Sequence, residues 1–235
     1  SDLAAIFELI EEKNIPLLFR LLPKEKASDT FVEMENEYQE LLIKSFSDSE
    51  LKAVLEDMYV NDAADLVEEM PANVVSRILK TVDSKTRKDI NQILQYPENS
   101  AGSIMTTEYV SLKLGTTVGQ AIAQIRKNGV EKKSFYACYV LEKRKLIGRL
   151  SVKDLLLAKS DDILIDEIMK TNVLSVTTHD DQEEAVKLLS KYNFYALPVV
   201  DTEQNMVGII AFDDALEVME EETTEEIEIM AGMAP

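Results

Sequence analysis

Between residues 104 and 214 the chain carries the same pattern twice, and that repeat restricts the fold more than any other feature of the sequence. Ile104–Ala121 (IMTTEYVSLKLGTTVGQA) aligns without a gap on Ile168–Ala185 (IMKTNVLSVTTHDDQEEA), sharing Ile-Met, Thr107/Thr171 and the closing alanine. Each copy continues into an amphipathic helix, Ile122–Lys127 or Val186–Tyr192, and then into an aromatic-rich strand, Ser134–Leu141 or Phe194–Asp201. A charged turn leads to an apolar strand with a glycine inside it, Leu146–Leu150 or Met206–Ile210, and a last helix opens with an acid, Asp154 or Asp214. The offset falls from 64 to 60 on the way, so the first copy has four extra residues around Asn128–Lys133. Each copy is predicted to be strand–helix–strand–strand–helix. A unit of about 60 residues is small to stand alone, so the two copies are expected to pack together with ligand clefts between them.

The N-terminal third reads as helices. Residues 2–22 and 27–46 have the texture of short amphipathic helices, with Pro16 and Pro23 as breaks. From Ser47 a shorter repeat begins: Leu51, Val54, Leu55 and Met58 form one helical stripe, and Ala63, Leu66, Val67 and Met70 fill the same slots twelve residues on. Val75, Ile78, Leu79 and Val82 follow, and a fourth copy keeps Ile90 and Leu94 but has Arg87 and Asn91 in the other slots. Ser47 with Glu50 makes a capping-box pattern, Pro71 suits a first turn, and Asp83 can cap the last helix. Stacked short helices of this kind make a superhelical scaffold and not a pocket for chemistry. Its acids Asp62, Asp65, Glu68 and Glu69 read as a solvated face, or alternatively supply one or two cation ligands facing another domain.

The charge is placed unevenly. Residues 1–96 carry 11 basic and 20 acidic side chains, residues 97–160 carry 11 and 5, and residues 161–235 carry 3 and 19. The total of −19 opposes nucleic-acid phosphate and favours cations. On the C-terminal helix Asp214, Glu217, Glu221, Glu225 and Glu228 recur at spacings of three and four, flanked by Glu220 and Glu222, with no lysine or arginine after Asp213. Like charges at that spacing cost about 0.2–0.5 kcal/mol each, so the stripe is either a solvated, frayed tail or a seat for cations. A single cysteine, Cys138, and a single histidine, His179, exclude a cysteine zinc cluster and leave little room for histidine ligation or a histidine triad. No Gly-x-x-x-x-Gly-Lys loop or buried carboxylate pair suggests catalysis, and the expectation is a non-enzymatic protein. No uncharged apolar run approaches the ~18 residues of a membrane crossing, and no basic-then-apolar leader opens the sequence.

The Ile-Met starts, the strand Leu197–Asp201 (LPVVD), and the elements Gly148-x-x-Ser151-x-x-Asp154 and Gly208-x-x-Ala211-x-x-Asp214 resemble the cystathionine-β-synthase (CBS) domain pair. In such pairs, the resemblance implies, the hydroxyl meets phosphate and the aspartate accepts from ribose. Ala211 lacks the hydroxyl, so only the first copy is equipped, with Lys153, Asp154 and Phe194 as the candidate residues for ATP. Read without the family, the glycine lets the strand turn and the aspartate caps the helix.

A wider resemblance covers almost the whole chain. A short-helix domain, then YPENSAGSIMTTEYVSL (Tyr96–Leu112), a CBS pair, DDQEEAVKLLSKYNFYALPVVD (Asp180–Asp201) and an acidic exit helix together look like the cytosolic half of MgtE-type magnesium transporters. The implied fold is multidomain: an all-α superhelical N-terminal domain (1–96), a first CBS unit (97–160), a second (161–222), and from 223 the start of an acidic helix connecting to a transmembrane pore domain beyond this sequence. The implied function is a homodimeric magnesium sensor on the cytoplasmic face of the membrane, in which Mg2+ holds a compact state that closes the pore. Magnesium takes oxygen ligands in near-octahedral geometry and keeps several waters, which carboxylates supply. The candidate ligands are Asp62, Asp65, Glu183, Asp213, Asp214, Glu217, Glu220, Glu221, Glu222, Glu225 and Glu226. Asn193 stands where family members often have an acid, just before the aromatic at 194. Apolar faces at Leu155, Leu156 and Leu157, beside Leu216 and Val218, are the expected dimer contacts.

Overall fold

A computed structural model describes residues 2–128 and 134–230; the side chains of Glu25, Asn128, Phe135, Glu221, Glu222 and residues 225–230 are not described. The expected insertion around Asn128–Lys133 therefore lies, beyond Asn128, outside the described residues. The chain divides into two compact units, 1–94 and 95–235.

The first unit is helical. Its helices are α1 (Asp2–Glu8), α2 (Ile15–Phe19), α3 (Lys24–Val32), α4 (Asn36–Ser45), α5 (Asp48–Leu55), α6 (Val60–Glu69), α7 (Ala72–Thr81) and α8 (Ser84–Ile93). Two sequence expectations need correction. Pro16 does not break a helix but starts one, in the first turn of α2, where its missing N–H costs nothing. The expected helix over 27–46 is two helices, separated by a bend at Met34, whose side chain is buried in the core. Gln39 holds the break together, donating from Nε2 to the carbonyls of Phe31 (2.9 Å) and Val32 (3.2 Å) that end α3. Elsewhere the start signals act as written. Ser47 and Glu50 form a complete capping box on α5, and Asp83 accepts from the amides of Lys85 and Thr86 at the head of α8. The repeated stripe is the core: Leu51, Leu66, Ile78 and Ile90 are each 3% exposed or less, and Phe7, Phe19, Phe31 and Phe46 pack ring against ring beside them.

The second unit contains two three-stranded sheets of identical topology. The first copy runs β1 (Tyr109–Lys113), α9 (Val118–Asn128), β2 (Ser134–Glu142), β3 (Lys145–Ser151) and α10 (Val152–Leu156). The second runs β4 (Val176–Thr177), α11 (Gln182–Lys191), β5 (Ala196–Val200), β6 (Met206–Ala211) and α12 (Phe212–Met230). In each sheet the first strand pairs parallel with the second and the second antiparallel with the third. The fifth strand is shorter than the expected Phe194–Asp201. Among the described residues no helix is long and apolar enough to cross a membrane.

The two copies exchange their leading segments. Thr106, at the head of the first copy, pairs both ways with Ile209 on β6 of the second (2.8 and 2.9 Å); Lys170, at the head of the second, pairs both ways with Arg149 on β3 of the first (2.8 and 2.9 Å). The segments before them do likewise, Ser100 bridging to Asp181 and Leu164 to Thr117. Each copy therefore completes the other's sheet edge. Tyr139 seals the seam, 1% exposed, its hydroxyl donating to the Ala196 carbonyl at 3.3 Å.

This exchange corrects the reading of the two strand glycines. Neither has a positive φ, so neither serves a turn. A Cβ on Gly208 would sit 2.7 Å from the Met105 sulfur and 2.7 Å from the Thr106 carbonyl oxygen, and one on Gly148 would collide with Met169. The glycines are hollows into which the Ile-Met segment of the opposite copy inserts.

Candidate functional site

Two groups of residues carry candidate chemistry. The first lies at the end of β3. Ser151 caps α10 and accepts from the Asp154 amide (3.1 Å), while both its own N–H and its hydroxyl donate to Asp154 Oδ2 at 2.7 Å. Burial pushes the Asp154 carboxyl up, but these bonds and the nearby Lys170 and Lys153 outweigh it and hold the group below the usual carboxylate range. The aspartate is thus a helix cap in this structure. Arg149 and Ser151 are two apart on one strand and so share a face of the sheet. Lys170 lies directly across from Arg149 in the antiparallel bridge. Phe194 of the second copy is half-buried, with the Arg149 guanidinium over its ring at 4.5 Å and Tyr192 stacked on it at 5.6 Å. Arg149 was not singled out from the sequence; the only signal was its place inside the Gly-x-x-Ser element.

The second group is the acids. Asp213 and Asp214 open α12. The acidic stripe is not continuous there: Asp214 is 5% exposed, on the face that carries Ala215 and Val218 inward, whereas Asp213, Glu217 and Glu220 are exposed. The reason is docking, because α12 packs along α11 and the inward face takes position 214 with it. The candidate ligands Glu221, Glu222, Glu225 and Glu226 stand on α12, with side chains outside the described residues. Glu183, in the first turn of α11, pairs with Lys187 at 2.5 Å. In the first unit Asp62 is half-buried on α6 and accepts from Asn61 at 3.1 Å, and Asp65 is exposed one turn on.

Among the described residues, no group of three or more histidine, cysteine or acidic side chains comes together as a metal cluster. The donor set itself is of the hard-oxygen type that magnesium accepts. Of the expected dimer contacts, Leu155 (2% exposed) and Val218 (4%) belong to their own cores, leaving Leu156 (66%), Leu157 (71%) and Leu216 (43%) on the surface. Cys138 is buried and Tyr96 faces His179 edge-on at 6.3 Å, so both singled-out residues pack.

Residues 1–99 match the MgtE intracellular N domain, and residues 101–161 and 165–221 match the CBS domain. The magnesium transporter MgtE of Thermus thermophilus is 35% identical over 232 residues, covering 97% of this chain, and that of Bacillus subtilis is 30% identical over 98% of it. The chain spans 51% of the length of each. Among solved structures, the cytosolic domain of the Mg2+ channel MgtE in complex with ATP superposes with a TM-score of 0.87 at 33% identity, covering 92% of this chain and 89% of that one. The soluble part of a magnesium transporter superposes at 0.85 with 29% identity, covering 93% and 86%.

Proposed function

The chain belongs to the MgtE family of magnesium transporters, and from that premise we propose that it is the Mg2+-sensing regulatory part of a magnesium transporter or channel. It acts without catalysis, at the cytoplasmic face of the membrane, as a homodimer, and its effector is the transmembrane pore domain that follows it in the full-length protein. The observation that carries this reading is the acidic helix α12, with Asp213 and Asp214 in its first turn and no basic residue in its last, in a chain similar over its length to the MgtE cytosolic domain.

The acids sit on separate elements: Asp62 and Asp65 on α6, Glu183 on α11, Asp213, Asp214, Glu217 and Glu220 on α12, with Glu221, Glu222, Glu225 and Glu226 further along. In this reading Mg2+ is shared between elements and draws them together. An ion that keeps most of its waters needs only one or two carboxylates from each side. Such an ion favours the compact state by its difference in affinity between compact and open forms and by nothing else. In this reading the exposed Leu156, Leu157 and Leu216 are the apolar side chains offered to a second copy.

A second reading is supported by a separate observation, the Ser151 hydroxyl, Lys153 and Asp154 at the end of β3 together with Phe194. It takes these residues as an adenine-nucleotide site, as the ATP complex of the similar cytosolic domain suggests. Calorimetry with Mg2+ and with ATP, each alone and then together, tests both. Mg2+ heats without ATP heats leave the first reading standing alone; no Mg2+ heats up to 20 mM, on the order of where weak carboxylate sites fill, overturn it.

A further inference from the structure

Phe194 is the side chain that the nucleotide reading assigns to base stacking, and its ring already carries a planar cation. The Arg149 guanidinium lies 4.5 Å from the ring centroid, reaching from β3 of the first copy to a residue of the second. Guanidinium and adenine are both flat groups that stack on an aromatic face, so they compete for it. Arg149 is also held among charges of its own sign. Lys170 faces it across the antiparallel bridge, and like charges placed directly opposite cost stability. Lys153 is the first basic residue after Ser151. Ser151 shares the sheet face of Arg149, and Asp154, bonded to Ser151, lies close enough to Lys170 and Lys153 for their charges to act on it.

Resting on the nucleotide reading, we propose that Arg149 is the gate of that site: it covers Phe194 while no nucleotide is bound, is displaced by an adenine base, and turns to the nucleotide's phosphates beside Lys153 and Lys170. The exchange gives the site its preference for a polyanionic ligand. A neutral nucleoside removes a cation–π contact without offering an anion in return. A nucleoside triphosphate removes the same contact and supplies charge-assisted hydrogen bonds to the freed guanidinium. The gate also links the copies, because the arginine that moves is paired through its backbone to the leading segment of the second copy.

The test is calorimetric titration of wild type, Arg149→Met and Arg149→Lys with adenosine, AMP and ATP. In Arg149→Met the lid and the charge are both gone: adenosine is expected to bind about threefold to tenfold tighter, and the ratio of ATP to AMP affinity to fall by about threefold or more. Arg149→Lys keeps the charge without the planar lid, so adenosine tightens while the ATP preference stays. Adenosine binding in Arg149→Met with none in wild type also supports the gate. Wild-type ATP binding with unchanged adenosine affinity and unchanged ATP to AMP ratio in both variants overturns the gate and leaves the nucleotide site intact. No binding of any of the three ligands to any of the three proteins overturns the nucleotide reading and the gate together.

Discussion

Met169 inserts its side chain against the bare Cα of Gly148, and the three atoms nearest to a Cβ there all belong to that methionine. The counterpart, Gly208, faces the Met105 sulfur and also the fixed carbonyl oxygen of Thr106, both at 2.7 Å. The two sites therefore differ in what can give way. Gly148→Ala is expected to destabilise the second unit by about 1–3 kcal/mol, the usual cost of overpacking, and Met169→Ala introduced with it is expected to recover most of that loss. Gly208→Ala is expected to cost at least as much and to recover little with Met105→Ala, since a backbone oxygen cannot be trimmed. Chemical denaturation of the single and paired variants measures the two coupling energies. Equal recovery in both pairs would contradict the geometry.

The strand–helix–strand–strand–helix order of both copies is legible in the sequence because it rests on local periodicity and turn chemistry. So are the capping box at Ser47 and the Asp83 cap. The exchange of Ile-Met segments is not legible, because it is a pairing between residues far apart in the chain, Lys170 with Arg149 (21 apart) and Thr106 with Ile209 (103 apart), and no local pattern specifies which sheet edge a segment joins. That exchange is also what makes the strand glycines necessary. The acidic stripe illustrates the same limit: spacing alone puts Asp214 with Glu217, whereas docking of α12 on α11 turns Asp214 inward and leaves Glu217 in solvent.

Glu50 gives the first unit an acid-sensitive joint. Its carboxylate accepts from the Arg20 guanidinium at 2.6 Å and from the Ser47 amide at 2.7 Å, and these bonds, Arg20's first, hold its pKa at about 2 against an ordinary 4.5. A carboxyl whose pKa is lowered by folding contributes stability above its unfolded value and loses it as pH falls through the folded one. Both groups are about a third exposed, so solvent screens much of the gain. Amide exchange in α5 is expected to be faster in Glu50→Gln than in wild type at pH 6, with the difference closing between about pH 4.5 and 2. A difference that persists at pH 2 would show that the effect is packing and not charge.

Cys138 is a built-in reporter for the second unit. Burial pushes its thiol from an ordinary 9.0 up to about 12, and the residue is 0% exposed on β2. The thiolate is the reactive form, so a thiol reagent at pH 8 is expected to leave the native chain unlabelled and to titrate one equivalent in denaturant. Because the folded state holds the proton more tightly, stability is expected to fall as pH rises from about 9 toward 12. Fast labelling of the native chain would mean that the sheet opens readily.

Asp154 completes the capping box of α10, and the nucleotide reading gives it a second role that one substitution can separate. Asp154→Ala removes the capping partner of Ser151 and is expected to cost about 1 kcal/mol of stability, whatever its ligand role. Asp154→Asn keeps one acceptor oxygen for the cap while losing the charge. If the nucleotide reading holds, both variants lose ATP binding, and only Asp154→Ala also lowers the melting temperature. ATP affinity equal to wild type in Asp154→Asn would remove the aspartate from the site.

Residues 1–96 and 161–235 are both strongly acidic, and in the magnesium-sensor reading this repulsion is the spring that the metal holds shut. At physiological ionic strength screening acts over about 8 Å, so only acids brought near one another contribute. The expectation is an extended, protease-sensitive chain without Mg2+ and a smaller, protected one at millimolar Mg2+, with NaCl at matched ionic strength producing neither change. Exposed ligands are the right ones to remove, because a change at the buried Asp214 would confound binding with folding. Asp213→Asn with Glu217→Gln on α12, and Asp65→Asn on α6, leave the cores untouched. Each is expected to move the midpoint of compaction to higher Mg2+, the α12 pair by at least about tenfold, where one decade is 1.4 kcal/mol of ion binding. Small-angle scattering and limited proteolysis across the same titration read the size and the protection independently. A radius of gyration and cleavage pattern that stay constant from zero to 20 mM Mg2+, about the range in which weak carboxylate sites fill, would refute the sensor reading, and a full response in both variants would place the ion elsewhere.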